Sequence, residues 1–132
     1  YLNTSPENFN AIEKFDVILN MEIVEHVENV HLYIRSCYKL LKKNGLMFTA
    51  TINRTLSSYI KAIVGAEYIL RWLPIGTHDW NKFIKPEELQ KKLADKNFTT
   101  SDVRGLVFNP IFNKWKRSSN LSVNYIICSI KN

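Results

Sequence analysis

An α/β fold is predicted for this 132-residue chain by three features. Apolar runs at residues 15–20 and 46–52 have the character of strands, and apolar positions between them recur at helical spacing. Two later strand-like runs, 98–108 and 123–130, are joined by a loop rather than a helix. Strand, helix, strand with short links is a right-handed parallel βαβ unit, whereas loop-joined strands pair antiparallel. With 45% hydrophobic residues the chain can bury one core, and a single domain is expected.

Each element has its own signal. Residues 4–14 are polar with one proline, a loop or short helix ahead of the first strand. That strand contains the unbroken run Val17-Ile18-Leu19, the pattern of a strand buried on both faces. Val30, Ile34, Cys37, Tyr38 and Leu41 mark a helix over about 29–43. Lys42-Lys43-Asn44-Gly45 suits its C-terminus, with cations for the dipole and glycine for a left-handed cap. Residues 56–73 are nearly apolar all round and predict a helix whose Leu56, Tyr59, Ile63, Ala66, Leu70 and Leu73 face the core. Val64, Tyr68 and Trp72 form a second strip flanked by Lys61 and Arg71, the composition of a helix lying in a lipid interface or sandwiched between protein surfaces. After a loop at 74–82, Pro86 at a first helical position, followed by Glu87 and Glu88, starts a helix to about residue 96. Gly105 marks a bulge within the strand at 98–108, and 109–119 is a long basic loop.

Composition excludes some classes and leaves others open. No apolar run is long enough to span a bilayer, and no charged-then-apolar leader stands at the front, so secretion is not expected. Cys37 and Cys128 are expected as reduced thiols in apolar surroundings, and no Cys/His spacing resembles a zinc site. The formal charge of +6 suits an anionic surface, but no helix-turn-helix, RNP or zinc-knuckle pattern supports nucleic acid.

The chemistry concentrates at the end of the first strand. In open α/β sheets ligands sit beyond the carboxyl ends of the strands, which places Asn20 and Met21 at a ligand edge. Glu22, Glu25 and His26 follow at i, i+3, i+4, so a helical turn would present two carboxylates and an imidazole on one face. They could equally stabilise a helix N-terminus, with His26 in a satisfied hydrogen bond. His78 and Asp79 form a second candidate pair in a loop able to close over a ligand, or merely to anchor itself.

The element order resembles the second half of a class I S-adenosylmethionine-dependent methyltransferase: strands four to seven of a seven-stranded Rossmann-like sheet, parallel strands plus a terminal antiparallel pair. The segment Gly65-Ala66-Glu67-Tyr68-Ile69-Leu70-Arg71, with Gly76-Thr77-His78-Asp79, is similar to the insertion of the ubiquinone-biosynthesis O-methyltransferases. Supporting matches are Met21-Glu22-Ile23-Val24-Glu25-His26-Val27, Thr51-Ile52-Asn53-Arg54, Asn109-Pro110-Ile111 and Val123-Asn124-Tyr125. Lys43-Asn44-Gly45 departs from that family's usual Pro-Gly-Gly.

This resemblance implies methyl transfer from S-adenosylmethionine to a catechol-type hydroxyl on a polyprenylated phenol or quinol. It implies cofactor contact at Met21 and a divalent metal, magnesium by preference, on Glu22, Glu25 and His26. His26 could alternatively be the general base. A polyprenylated substrate implies a peripheral enzyme docked on anionic lipid through Lys61, Val64, Tyr68, Arg71 and Trp72. The expected place is the cytoplasmic face of a bacterial inner membrane, or the matrix side of its mitochondrial equivalent. The four glycines, Gly45, Gly65, Gly76 and Gly105, make no G-x-G-x-x-G turn, so the cofactor half of such an enzyme is not in this sequence. A truncated or split form is therefore expected, which pairs with a separate N-terminal half or with itself through the edge of its first strand. The competing readings are a methyltransferase for another small phenol and a non-catalytic remnant that binds lipid or a partner.

Overall fold

A computed structural model describes residues 2–60, 79–109 and 112–132. These residues form a mixed five-stranded sheet in the order β1-β2-β5-β3-β4. Strand β1 (Phe15–Met21) runs parallel to β2 (Leu41–Ile52) in a register that pairs Val17 with Leu46 and Met21 with Ala50. Helix α1 (Val30–Leu40) connects them, as the spacing of its apolar residues requires. Strand β5 (Asn124–Lys131) inserts antiparallel between β2 and β3 (Phe98–Asn109), the antiparallel pair expected from the loop between the late strands.

The segment expected as a basic loop holds a further strand, β4 (Lys114–Ser118), antiparallel on the outer side of β3. Its residues are almost all exposed, so it lacks the polar–apolar alternation by which a half-buried strand is recognised. Gly105 is not a bulge: it pairs with both Ser118 and Tyr125, and the irregularity falls between Thr100 and Asp102. Glycine is needed at 105 because a Cβ there would lie 1.8 Å from the Asn120 carbonyl oxygen.

The first turn of α1 is capped by the Asn29 side chain, which accepts from the Leu32 N–H at 3.0 Å. Its end differs from expectation. The helix stops at Leu40, extended backbone resumes at Leu41, and Asn44 rather than Gly45 takes the left-handed conformation (φ 60°). Gly45 answers to space instead, since a Cβ would meet the Lys42 carbonyl oxygen at 2.9 Å. The cation at this helix end comes from the other end of the chain. Lys131 Nζ donates to the carbonyl oxygens of Tyr38 and Leu41 at 2.7 and 2.8 Å, and burial lowers its pKa. Lys42 turns away to pair with Asp16.

Helix α3 (Pro86–Ala94) begins at its proline as expected, and the Glu88 carboxylate reaches back to accept from the Lys85 N–H at 3.4 Å. It packs with α1 on one face of the sheet, against Met47, Tyr125 and Ile127. On that face Asn20 is buried and Ile18 half-buried, whereas Val17, Leu19 and Met21 point the other way and are exposed. The expectation of a strand buried on both faces is thus met on one only: no described element covers the second side. The outer edge of β1 likewise pairs with no described strand.

Of the helix expected over 56–73, the described residues show a first turn, α2 (Leu56–Ser58), capped by Thr55. Leu56 and Tyr59 are exposed rather than core-facing. Lys61, Val64, Tyr68, Arg71, Trp72 and His78 lie outside the described residues. Cys37 is buried, Cys128 is half-buried, and both are free thiols.

Candidate functional site

Strand β1 ends at Met21 opposite Ala50, two residues before the end of β2, and the polar groups the core must accommodate gather there. Asn20 Oδ1 accepts from the Tyr33 hydroxyl of α1 at 2.7 Å inside the core, while its Nδ2 has no partner. The neighbouring Thr49 Oγ1, Asn53 Oδ1 and Glu25 Oε1 are also buried without a partner. Orphaned buried polar atoms are uncommon, and a concentration at the carboxyl ends of adjacent parallel strands is where a ligand edge belongs. Burial pushes the nearby Cys37 thiol up to about 11, and raises the Tyr33 hydroxyl as well.

The turn after β1 is not helical, which corrects the expected geometry of Glu22, Glu25 and His26. Glu22 sits in the left-handed region (φ 53°), its N–H still extending the ladder to the Ala50 carbonyl at 3.0 Å. A tight turn follows, closed by the His26 N–H to the Ile23 carbonyl at 2.9 Å. The i, i+3, i+4 rule holds only for helical backbone, and helix α1 starts later, behind the Asn29 cap. Glu25 turns inward and is 2% exposed, whereas His26 is exposed.

Inside, Glu25 Oε2 accepts from the Thr51 hydroxyl of β2 at 2.8 Å. The Glu22 carboxyl, desolvated and hydrogen-bonded to that of Glu25 beside its charge, is pushed up to about 8. Glu25 Oε1 keeps no hydrogen-bond partner among the described residues. Among the described residues no three His, Cys, Asp or Glu side chains come together as a metal-holding group. The expected set of Glu22, Glu25 and His26 does not fit a metal in this arrangement.

Glu25 and His26 line a cavity of about 530 Å³ with Val24, Arg54, Phe83 and Glu88. Arg54 and Glu88 form an ion pair across it, joining the end of β2 to the first turn of α3. Met21, the last residue of β1, is exposed on the bare face of the sheet. Asp79 caps a short 3-10 turn (Trp80–Lys82), its carboxylate accepting from the Asn81 N–H at 3.0 Å. Thr51, Tyr33, Arg54 and Glu88 were not singled out from the sequence as site residues. Thr49 and Thr51 carried the only available signal, polar residues at alternate positions of an otherwise apolar strand.

Residues 3–103 match the methyltransferase domain family. The chain is 56% identical, over 100% of its length and 55% of the relative's, to the ubiquinone biosynthesis O-methyltransferase of Pelagibacter ubique strain HTCC1062. To the protein of that name from Chelativorans sp. strain BNC1 it is 52% identical, over 90% of its length and 47% of the relative's. The chain thus spans about half the length of the curated relatives it matches. Among solved structures, a SAM-dependent methyltransferase from Thermotoga maritima superposes with a TM-score of 0.69 at 17% identity, over 99% of this chain and 63% of that one. The magnesium protoporphyrin IX methyltransferase of Synechocystis PCC 6803 with bound SAH gives 0.63 at 14% identity, over 99% and 50%. These structural likenesses establish the α/β methyltransferase fold, and by its matched residues and its relatives the chain belongs to the methyltransferase domain family, alongside the ubiquinone biosynthesis O-methyltransferases.

Proposed function

We propose that this chain carries the acceptor side of an O-methyltransferase of ubiquinone synthesis, methylating a catechol-type hydroxyl on a polyprenylated phenol or quinol. The observation that carries this reading is the buried Glu25 carboxylate, held by Thr51 just beyond the carboxyl end of β1 and lining the cavity beside His26. S-adenosylmethionine, when bound, supplies an electrophilic methyl group; Met21 at the ligand edge is the residue assigned to it.

A phenol is a weak nucleophile until it loses its proton. His26, on the cavity rim, takes that proton as general base, since imidazole titrates near neutral pH. Glu25, 2% exposed and held by Thr51, lines the same cavity. The phenolate oxygen forms the new C–O bond as the methyl–sulfur bond breaks, leaving an ether and a neutral thioether. Arg54 and Glu88 frame the ring, and Phe83 gives it an apolar wall. The divalent ion implied by the resemblance has no step in this scheme.

The bare edge and face of β1 are proposed to receive a complementary N-terminal half, or a second copy. A polyprenyl tail is costly to withdraw from a bilayer, so the reaction is placed at an anionic membrane surface, the cytoplasmic face of a bacterial inner membrane. No helix among the described residues is long and apolar enough to cross a membrane.

The test is calorimetric titration with S-adenosylmethionine, with and without the first half of the Pelagibacter ubique relative, followed by methyl transfer to a catechol acceptor. Binding and turnover only with that half support the proposal, and His26→Ala then lowers kcat by about two orders of magnitude or more. No binding in either condition supports the non-catalytic remnant.

A further inference from the structure

We infer that the β3–β4 hairpin is a lipid-docking element in its own right, a cationic aromatic finger for anionic phospholipid headgroups, in addition to the strip expected at Lys61, Val64, Tyr68, Arg71 and Trp72. Strand β2 ends at Ile52, level with Asn124 of β5 and Leu106 of β3. Strand β3 continues to Asn109, where it pairs with Lys114. Three further residues at about 3.3 Å each carry the hairpin roughly 10 Å beyond the carboxyl ends of β1 and β2. It therefore projects from the edge of the sheet on which the cavity opens.

Its composition matches an interface between water and lipid. Phe112 is 65% exposed and Trp115 is 59% exposed, with the Trp115 ring 5.2 Å from that of Phe108. Lys114, Lys116 and Arg117 are exposed, and none forms an ion pair with a described residue. No acidic residue occurs between Val103 and Asn132. Lysines on an edge strand also guard against strand-to-strand aggregation, but that role does not explain two large exposed aromatics beside them. Tryptophan with an adjoining cationic cluster is the chemistry that settles at headgroup depth on an anionic leaflet.

Co-sedimentation with phosphatidylglycerol–phosphatidylcholine vesicles, against phosphatidylcholine alone, tests this without substrate or cofactor. Its failure therefore leaves the methyl-transfer reading intact. The full chain is expected to bind the anionic vesicles and to be released by salt. Lys114→Gln with Lys116→Gln and Arg117→Gln should lower partitioning on the order of a hundredfold. In a Trp72→Phe, Trp80→Phe background the remaining Trp115 should be quenched by brominated lipid, a readout that leaves the hairpin unaltered. Unchanged binding by the triple variant, or an unquenched Trp115 on bound vesicles, overturns the inference. Duplex DNA binding of equal strength, lost in the same triple variant, overturns it too.

Discussion

Replacing Thr51 by valine isolates the contact that holds Glu25. The Thr51 hydroxyl donates to Glu25 Oε2 at 2.8 Å, and the two residues are 0% and 2% exposed. Valine has nearly the same volume, so little cavity opens, and a methyl group stands where the donor was. A hydrogen bond to a charged acceptor contributes about 1.5–3 kcal/mol, and leaving a buried carboxylate oxygen unpaired places this site toward the upper part of that range. Thr51→Val is expected to destabilise the fold by about 2–3 kcal/mol. Thr51→Ser keeps the donor and removes one methyl, a loss of about 0.8 kcal/mol. Urea denaturation followed by far-UV circular dichroism measures both, with unchanged m-values as the sign that only stability moved. If Thr51→Val loses no more than Thr51→Ser, the hydroxyl does not hold Glu25, and the positioned carboxylate is wrong.

Three other outcomes are expected. Gly105→Ala should destabilise by about 3 kcal/mol or more in the same assay, because backbone rather than a flexible side chain must move away from the new Cβ. Cys37, with its thiol pushed up to about 11, should react with iodoacetamide at pH 8 roughly a hundredfold more slowly than an ordinary exposed thiol, read by mass spectrometry of the folded chain. Glu22 gives a pH dependence of stability. Its carboxyl goes from about 4.5 to about 8 on folding, so between those values the folded state holds the extra proton. The stability it contributes is present below pH 4.5 and is lost as pH rises through 8. Glu22→Gln should flatten that slope in denaturation curves taken at intervals of pH, and an unchanged slope would show that Glu22 holds no extra proton on folding.

Much of the frame was legible because it is local. Apolar spacing marks α1, Pro86 with its acidic first turn marks α3, and short links between strand, helix and strand require β1 and β2 to be parallel. The motif from Met21 to Val27 lies at the corner where buried polar groups gather, and the family followed from motifs spread along the chain. What the corner does was decided elsewhere. Residue spacing describes neighbours on one regular element, and the left-handed Glu22 breaks that regularity, sending Glu25 inward and His26 outward. The donor to Glu25 lies 26 residues away on β2, and the cation on the end of α1 lies 90 or more residues away on β5. Strand β4 and the bare face of β1 were hidden for the same reason. Burial depends on which elements pack against a strand, and sheet register brings together groups that no periodicity along the chain connects.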